Sequence, residues 1–524
     1  MATTSAPALT ATPFAITQSC CSDASCVAVC PVNCIHPTPD EPDFGTTDML
    51  YIDPRSCIGC GACADACPVD AIFPTDVLLA GPQAAYVDLN REHFAADAVG
   101  LEADDEPDAT DPRWSEPVFP PALSAEAAGL RVAVVGTGPA ASYTASALLT
   151  TSARVTMVDR LPTPGGLIRW GVAPDHQSTK AIARRFATVH RNPRLQMLLG
   201  VEVGRDLSHQ DLLAQHDAVV YAVGARADRT LGVEGEELPG SLSARTFVGW
   251  YNAHPEIAAD TIDLGPATQG RAVIIGNGNV ALDAARILLS DADDLVGTEI
   301  AEHALDDLRS GSVREVVVVA RRGPDDAAYS LSELRPLLAR DDLDVVVDGD
   351  SDLAAAIAAA PRGSKAAALQ GVPVSPVGWS APVSWRRRLV LRFDSAVDRI
   401  EGTSHVEAVV LDGTHVPTGL VLRSVGYRSE PVPGLPFDES THTVPHASGR
   451  VVDPATGEPV PATYVVGWIK RGPRGGIGSN RADAAETVGS LVDDANAGRL
   501  TTGRGSDRAL RSRLRSSRRR TAQL

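Results

Sequence analysis

Four cysteines in one short run constrain this chain more than any other feature. They are Cys57, Cys60, Cys63 and Cys67, spaced C-x2-C-x2-C-x3-C and followed at once by Pro68. Three thiolates this close together on a loop grip one iron–sulfur cluster, while the fourth leaves the loop in the other direction and reaches a second. Zinc sites instead pair CxxC units across longer loops, and disulfides do not suit a reducing compartment. The upstream half repeats the spacing with a single change. Cys20, Asp23, Cys26 and Cys30-Pro31 follow the same order, with Asp23 where the second cysteine would stand. A carboxylate is a harder and weaker ligand for iron than a thiolate, so two unequal clusters are expected. A [4Fe–4S] cluster takes Cys30, Cys57, Cys60 and Cys63. The other takes Cys20, Cys26 and Cys67, as a [3Fe–4S] centre or, in the rival arrangement, as a [4Fe–4S] cluster that Asp23 completes. Cys21 competes with Cys20 for its place through a shorter loop. Cys34 is surplus, a small buried residue beside the metal.

All nine cysteines lie between Cys20 and Cys67, and none follows. Charge is just as uneven: residues 1–128 hold 20 acids against 3 arginines, while the remainder nearly balances at 46 acids to 44 bases. An acidic head before a near-neutral body argues against nucleic-acid binding by the chain as a whole. No apolar run approaches the roughly 18 residues of a membrane span. Residues 1–12 lack the basic start and apolar stretch of a secretory signal. The expectation is a cytoplasmic protein with neither membrane nor nucleic acid as partner. Its 524 residues, 44% of them hydrophobic, suggest three or four domains with real cores. Residues 76–128, with EADDEPDATDP and PVFPP, read as an acidic linker. Residues 499–524, with nine arginines and one acid, read as a solvated, disordered tail.

From Leu130 the texture changes to short β-branched runs: RVAVV at 131–135, RVTMV at 154–158, AVVYAVG at 218–224, RAVII at 271–275 and REVVVVA at 314–320. Continuous apolar strands alternating with helices indicate parallel α/β sheets. Around 372–428 the strands come closer together, as in an antiparallel or mixed excursion. Two of the runs end in dinucleotide fingerprints. Gly136-Thr137-Gly138-Pro139-Ala140-Ala141 opens a helix, and Asp159 ends the next strand. Glycines there allow a tight turn and close approach of pyrophosphate, and a carboxylate accepts ribose hydroxyls, as FAD or NAD requires. Gly276-Asn277-Gly278-Asn279-Val280-Ala281 is the second, and its next strand ends in Arg321-Arg322. Two guanidinium groups suit a 2′-phosphate, hence NADP. The order is therefore FAD first and NADPH second. Without a cysteine the body has no redox dithiol, so its electrons must leave by another route, which the iron–sulfur head offers.

The segment from Cys20 to Pro74 resembles the seven-iron and eight-iron bacterial ferredoxins, which implies a two-fold α+β fold and one-electron transfer. Three longer stretches narrow the family of the body: LPTPGGLIRWGVAPDH at 161–176, RRGP at 321–324 with ELR at 333–335, and GWIKRGPRGGIG at 467–478. Together they resemble ferredoxin–NADP reductases of the adrenodoxin-reductase type. With the head, the whole is similar to actinobacterial ferredoxin–reductase fusions. The implied α/β architecture is a two-cluster ferredoxin (1–75) fused to two Rossmann-like dinucleotide-binding domains. The FAD domain would comprise 129–230 and 431–498, and the NADP domain, 231–430, is inserted in it. The resemblance implies FAD contacts at Gly136, Gly138, Ala140, Asp159, Leu167, Val203, Trp468, Gly475, Gly476 and Ile477. It implies NADP contacts at Gly276, Asn277, Gly278, Asn279, Val280, Arg321, Arg322, Glu333 and Gly475, with Arg229 as a hinge or a further NADP contact. His176 would orient the flavin or supply it a proton.

Two departures stand out. ELRP carries Pro336 where the family often has a second acid, which puts a proton relay through that carboxylate in doubt. Gly165 stands where a tryptophan is often found. The implied activity is hydride transfer from NADPH to FAD, then single electrons to the tethered clusters and to an external ferredoxin or other one-electron acceptor. The reverse flow uses the same parts. Two alternatives compete: an electron-input subunit like that of glutamate synthase, whose N-terminal cysteines are usually spaced differently, and a non-catalytic redox sensor.

Overall fold

Two short antiparallel strand pairs pin the cysteine-rich head in the computed structural model, which describes residues 12–44, 47–81, 83–95, 121–265, 268–381 and 383–500. Phe14–Ile16 pairs with Ile72–Pro74, and Ile35–His36 with Tyr51–Ile52. Pairs this short are marginal alone. They are held by a core of Ile16, Ile35, Leu50, Ile52 and Ile72, into which seven of the cysteines pack.

The stretch expected to be linker from residue 76 begins instead with two helices, Thr75–Leu79 and Ala85–Ala95. Tyr86, Val87, Leu89 and Phe94 are buried, a helical face laid on the head. Asn90 fixes the second helix in place. Its Nδ2 donates to Ile16 O (2.8 Å) and Tyr86 O (2.8 Å), and its Oδ1 accepts from Ile16 N (3.1 Å) and Ile52 N (2.9 Å). Acidic composition misled the reading of this element, because its apolar side chains all fall on one face. The rest of the expected linker up to 120, and the arginine-rich tail beyond 500, lie outside the described residues.

The body carries two large sheets. One runs in the order His446–Ala447, Arg450–Val452, Pro459–Val465, Ala218–Tyr221, Arg131–Val135, Arg154–Asp159, Leu195–Leu199; its last five strands are parallel. The other is all parallel, in the order Ser241–Ser243, Leu420–Arg423, Arg271–Ile275, Glu315–Val319, Arg387–Arg392, Leu343–Asp348. Strands such as Glu315–Val319 are buried at every position, as parallel strands covered on both faces must be. The crowded region after 372 is mixed. Arg387–Arg392 and Leu420–Arg423 join the parallel sheet, while Val397–Glu401, Ala408–Leu411 and Thr414–Pro417 form a separate antiparallel meander. The chain crosses between the two large sheets twice, and the two crossings pair with each other, Ala227–Asp228 against Tyr427–Arg428.

Candidate active site

The first fingerprint opens onto a cavity of about 370 Å³. Helix Pro139–Thr150 begins at its wall, so unpaired backbone N–H groups face it. The cradle is shaped for close approach. A Cβ on Gly136, where φ is 116°, would stand 2.5 Å from Ala222 O, and one on Gly166 would stand 2.8 Å from Gly138 Cα. Asp159 is held at the strand end by Thr137, whose Oγ1 donates to Oδ2 at 2.6 Å, and by Leu161 N, which donates to Oδ1 at 2.9 Å. Each carboxylate oxygen keeps a further lone pair for a ribose hydroxyl. Of the expected FAD contacts, Gly136, Gly138, Ala140, Asp159, Leu167, Val203, Trp468, Gly476 and Ile477 all line this cavity. Gly475 is not among the lining residues; its carbonyl accepts from Trp468 Nε1 at 3.2 Å. These residues fit an FAD.

The second fingerprint has the same construction. Gly276, with φ 105°, would bring a Cβ within 2.2 Å of Ser424 O. Asn277 Oδ1 accepts from Ala328 N and Asn279 Oδ1 from Ser330 N, at 3.1 and 2.8 Å. Asn277 Nδ2 is buried with no partner in the protein, a donor left for a ligand. Val280 reaches the flavin cavity itself. Gly278 caps the helix Asn279–Leu288, and Arg321 and Arg322 are exposed beyond the next strand. Arg229 sits on the paired crossing, its N donating to Gly426 O (3.0 Å) and its Nε to Tyr427 O (3.3 Å), the position of a hinge.

Where the two sheets meet, the structure gathers a charged cluster that no single motif contains. His176 lies 3.8 Å from Glu333 and 3.9 Å from Asp283. Arg286 bridges them, bonded to Asp175, Asp283 and His176 Nε2. Three such ligand atoms within 4.8 Å of one another could hold a cation, but the guanidinium already supplies the positive charge. Burial lowers the His176 pKa, and burial followed by Asp283 pushes Glu333 up to about 8. The ring nitrogen that faces Arg286 and the Gln18 amide (3.4 Å) must accept, since guanidinium nitrogens only donate. The ring proton therefore belongs on Nδ1. The relay put in doubt by Pro336 has Glu333 beside the imidazole instead.

In the head, Cys26, Cys34 and Cys63 are buried, with Cys20, Cys30, Cys57 and Cys67 packed around them, while Cys60 is exposed. Hydrogen bonding to the Cys34 thiol pulls Cys30 down to about 5 and Cys57 to about 6, toward the thiolate form that ligates metal. Cys34 thus lies against the group of Cys30, Cys57, Cys60 and Cys63. Cys21 packs in the apolar core of the body, against which Cys20 and Cys67 also lie. Seven thiols gathered around two loops, with a carboxylate in place of the eighth, fit iron–sulfur clusters.

Known proteins agree with this geometry. Residues 50–73 match the family described as 4Fe-4S binding domain, and residues 130–322 the one described as pyridine nucleotide-disulphide oxidoreductase. The chain is 47% identical over 500 residues to a probable ferredoxin/ferredoxin–NADP reductase of Mycobacterium leprae, covering 93% of this chain and 87% of that protein. It is 43% identical over 394 residues to the NADPH-ferredoxin reductase FprA of Mycobacterium tuberculosis, covering 69% and 83%. The solved structure of Mycobacterium tuberculosis FprA in complex with NADPH superposes with a TM-score of 0.64 at 40% identity, over 75% of this chain and 91% of that one. Among the described residues no helix is long and apolar enough to cross a membrane. With relatives this similar over nearly its whole length, the chain belongs to the ferredoxin/ferredoxin–NADP reductase family.

Proposed function

We propose that this reductase draws electrons from NADPH and passes them singly into its own head, through a three-iron cluster on Cys20, Cys26 and Cys67 and a four-iron cluster on Cys30, Cys57, Cys60 and Cys63. External ferredoxin or another one-electron acceptor takes them from there. Bound FAD supplies the chemistry between the two, accepting a hydride and giving up single electrons. The residues do the rest. Gly136, Gly138 and the start of helix Pro139–Thr150 seat the pyrophosphate, and Asp159 takes the ribose. Arg321 and Arg322 take the 2′-phosphate, and the free Asn277 Nδ2 awaits a polar group of the same nucleotide. His176 holds its proton on Nδ1, with Arg286 fixing the ring and the protonated Glu333 beside it as a reserve. The observation that carries the reading is the contact of the head with the flavin loop, where Gly478 N donates to Cys21 O at 2.6 Å.

The experiment is steady-state kinetics of the purified holoenzyme with both nicotinamide cofactors. A hydrogen bond to a charged group is worth about 1.5–3 kcal/mol. Replacing Arg321 and Arg322 by alanine therefore raises the KM for NADPH at least about tenfold and leaves that for NADH unchanged. Equal loss with both cofactors contradicts the assignment.

A further inference from the structure

The head touches the flavin loop at one narrow place, where the end of the glycine-rich stretch 467–478 meets the upstream cysteine run. Besides accepting from Gly478, Cys21 O fixes the identity of that residue: a Cβ on Gly478 would stand 2.0 Å from Cys21 O and 2.3 Å from Asp23 N. Only glycine permits the approach. Gly478 directly follows Ile477, which lines the flavin cavity, and Cys21 directly follows Cys20. Each neighbour is thus one residue, about 3.8 Å of Cα trace, from the bond that joins head and body.

Asp23 stands beside this bond and is 6% exposed. Its carboxylate already has three donors. Oδ1 accepts from Ser25 N at 3.0 Å, and Oδ2 accepts from Ser25 Oγ at 2.7 Å and from Arg185 Nη1 at 3.4 Å. Arg481 Nη1 lies 3.8 Å from the same oxygen and donates to Asp23 O (2.9 Å) and Ser25 Oγ (2.8 Å). Both arginines belong to the reductase body. In the downstream cysteine loop, by contrast, Cys60 is exposed and Ile58 is 52% exposed.

We infer, resting on the function proposed above, that the loop Cys20–Asp23 is the port by which electrons enter the head. They arrive at the cluster of Cys20, Cys26 and Cys67, and Asp23 is a docking residue for Arg185 and Arg481 rather than an iron ligand. The hydride of one NADPH carries two electrons. Each crosses the port separately and reduces one ferric ion to ferrous, with no bond formed or broken in the head, and the hydride's proton is released to water. A buried carboxylate met by two half-exposed guanidinium groups fixes orientation more than it adds affinity, which is what a tethered partner needs.

The test uses the full-length holoenzyme, mixed anaerobically with NADPH, with flavin bleaching followed optically and cluster reduction by freeze-quench EPR. Arg185→Glu with Arg481→Glu, and separately Asp23→Asn, slow cluster reduction at least tenfold, while NADPH bleaches flavin and reduces ferricyanide at the parental rate. Raising the salt concentration slows cluster reduction in the parent as well. Asp23→Asn keeps the parental iron content and EPR line shape. Cluster reduction at the parental rate in both variants overturns the port, and loss of iron in Asp23→Asn overturns the docking role. Failure of NADPH to bleach the flavin of the parent overturns the functional reading, and the port with it.

Discussion

Glu333 shows how one residue's surroundings set its chemistry. Burial first, and the Asp283 carboxylate second, push its pKa from an ordinary 4.5 up to about 8. The unfolded chain releases this proton near pH 4.5, while the folded one holds it until about 8. Across that window the folded state binds more protons, so stability falls as pH rises. Below it both states are protonated and nothing is lost; above it the loss is complete. Glu333→Gln removes the titration. The melting temperature of the variant should therefore gain on the parent between pH 5 and 8, by at least about 2–4 °C, the shift that 1 kcal/mol makes in a domain of this size. A difference that stays constant over this range contradicts the raised pKa. The family resemblance of the ELR stretch implies a nucleotide contact at Glu333, but nothing in the sequence makes it the neighbour of His176. That proximity depends on Arg286, which comes from the helix after the second fingerprint and carries no motif of its own. Asp23 was legible as an oddity of spacing; what it bonds to lies more than 150 residues away in Arg185 and more than 450 away in Arg481.

At the scale of elements, the parallel strands and both fingerprints could be read directly, because a buried strand is a run of apolar residues and a phosphate turn demands glycine at fixed places. The helix Ala85–Ala95 could not be read in the same way. Its weak amphipathic pattern is mixed with acids, and its key residue, Asn90, is polar and 2% exposed. Both ends of that carboxamide are satisfied by backbone groups of the two strand pairs, which ties the helix to the clusters' supports. Asn90→Ala would leave Ile16 N and Ile52 N without acceptors in a buried place, at about 1–3 kcal/mol each. The head should then release its iron to a chelator at a lower temperature than the parent, as bleaching of the cluster absorbance, while the flavin stays bound. Iron release at the parental temperature would show that Asn90 does not support the head.

The whole molecule is arranged so that the head lies across both halves of the body. Besides the port on the flavin side, Tyr86 donates to Ser332 O at 3.1 Å, Glu92 pairs with Arg335, and Thr179 Oγ1 donates to Ser19 O at 3.5 Å. The sequence sets an acidic head before a body that carries nearly all the arginines, yet the face that joins the two could not be read there. That face is assembled from residues of three segments far apart in the chain, around Thr179–Arg185, Ser332–Arg335 and Gly478–Arg481. On the function proposed above, docking of this kind makes electron transfer an internal event. The most direct measurement is anaerobic reduction of the holoenzyme by NADPH over a dilution series, with the flavin followed optically and the clusters by EPR. The account predicts that the clusters are reduced after the flavin, at a rate that does not change as the protein is diluted. Bleached flavin with no change in the cluster signals at any concentration would contradict it.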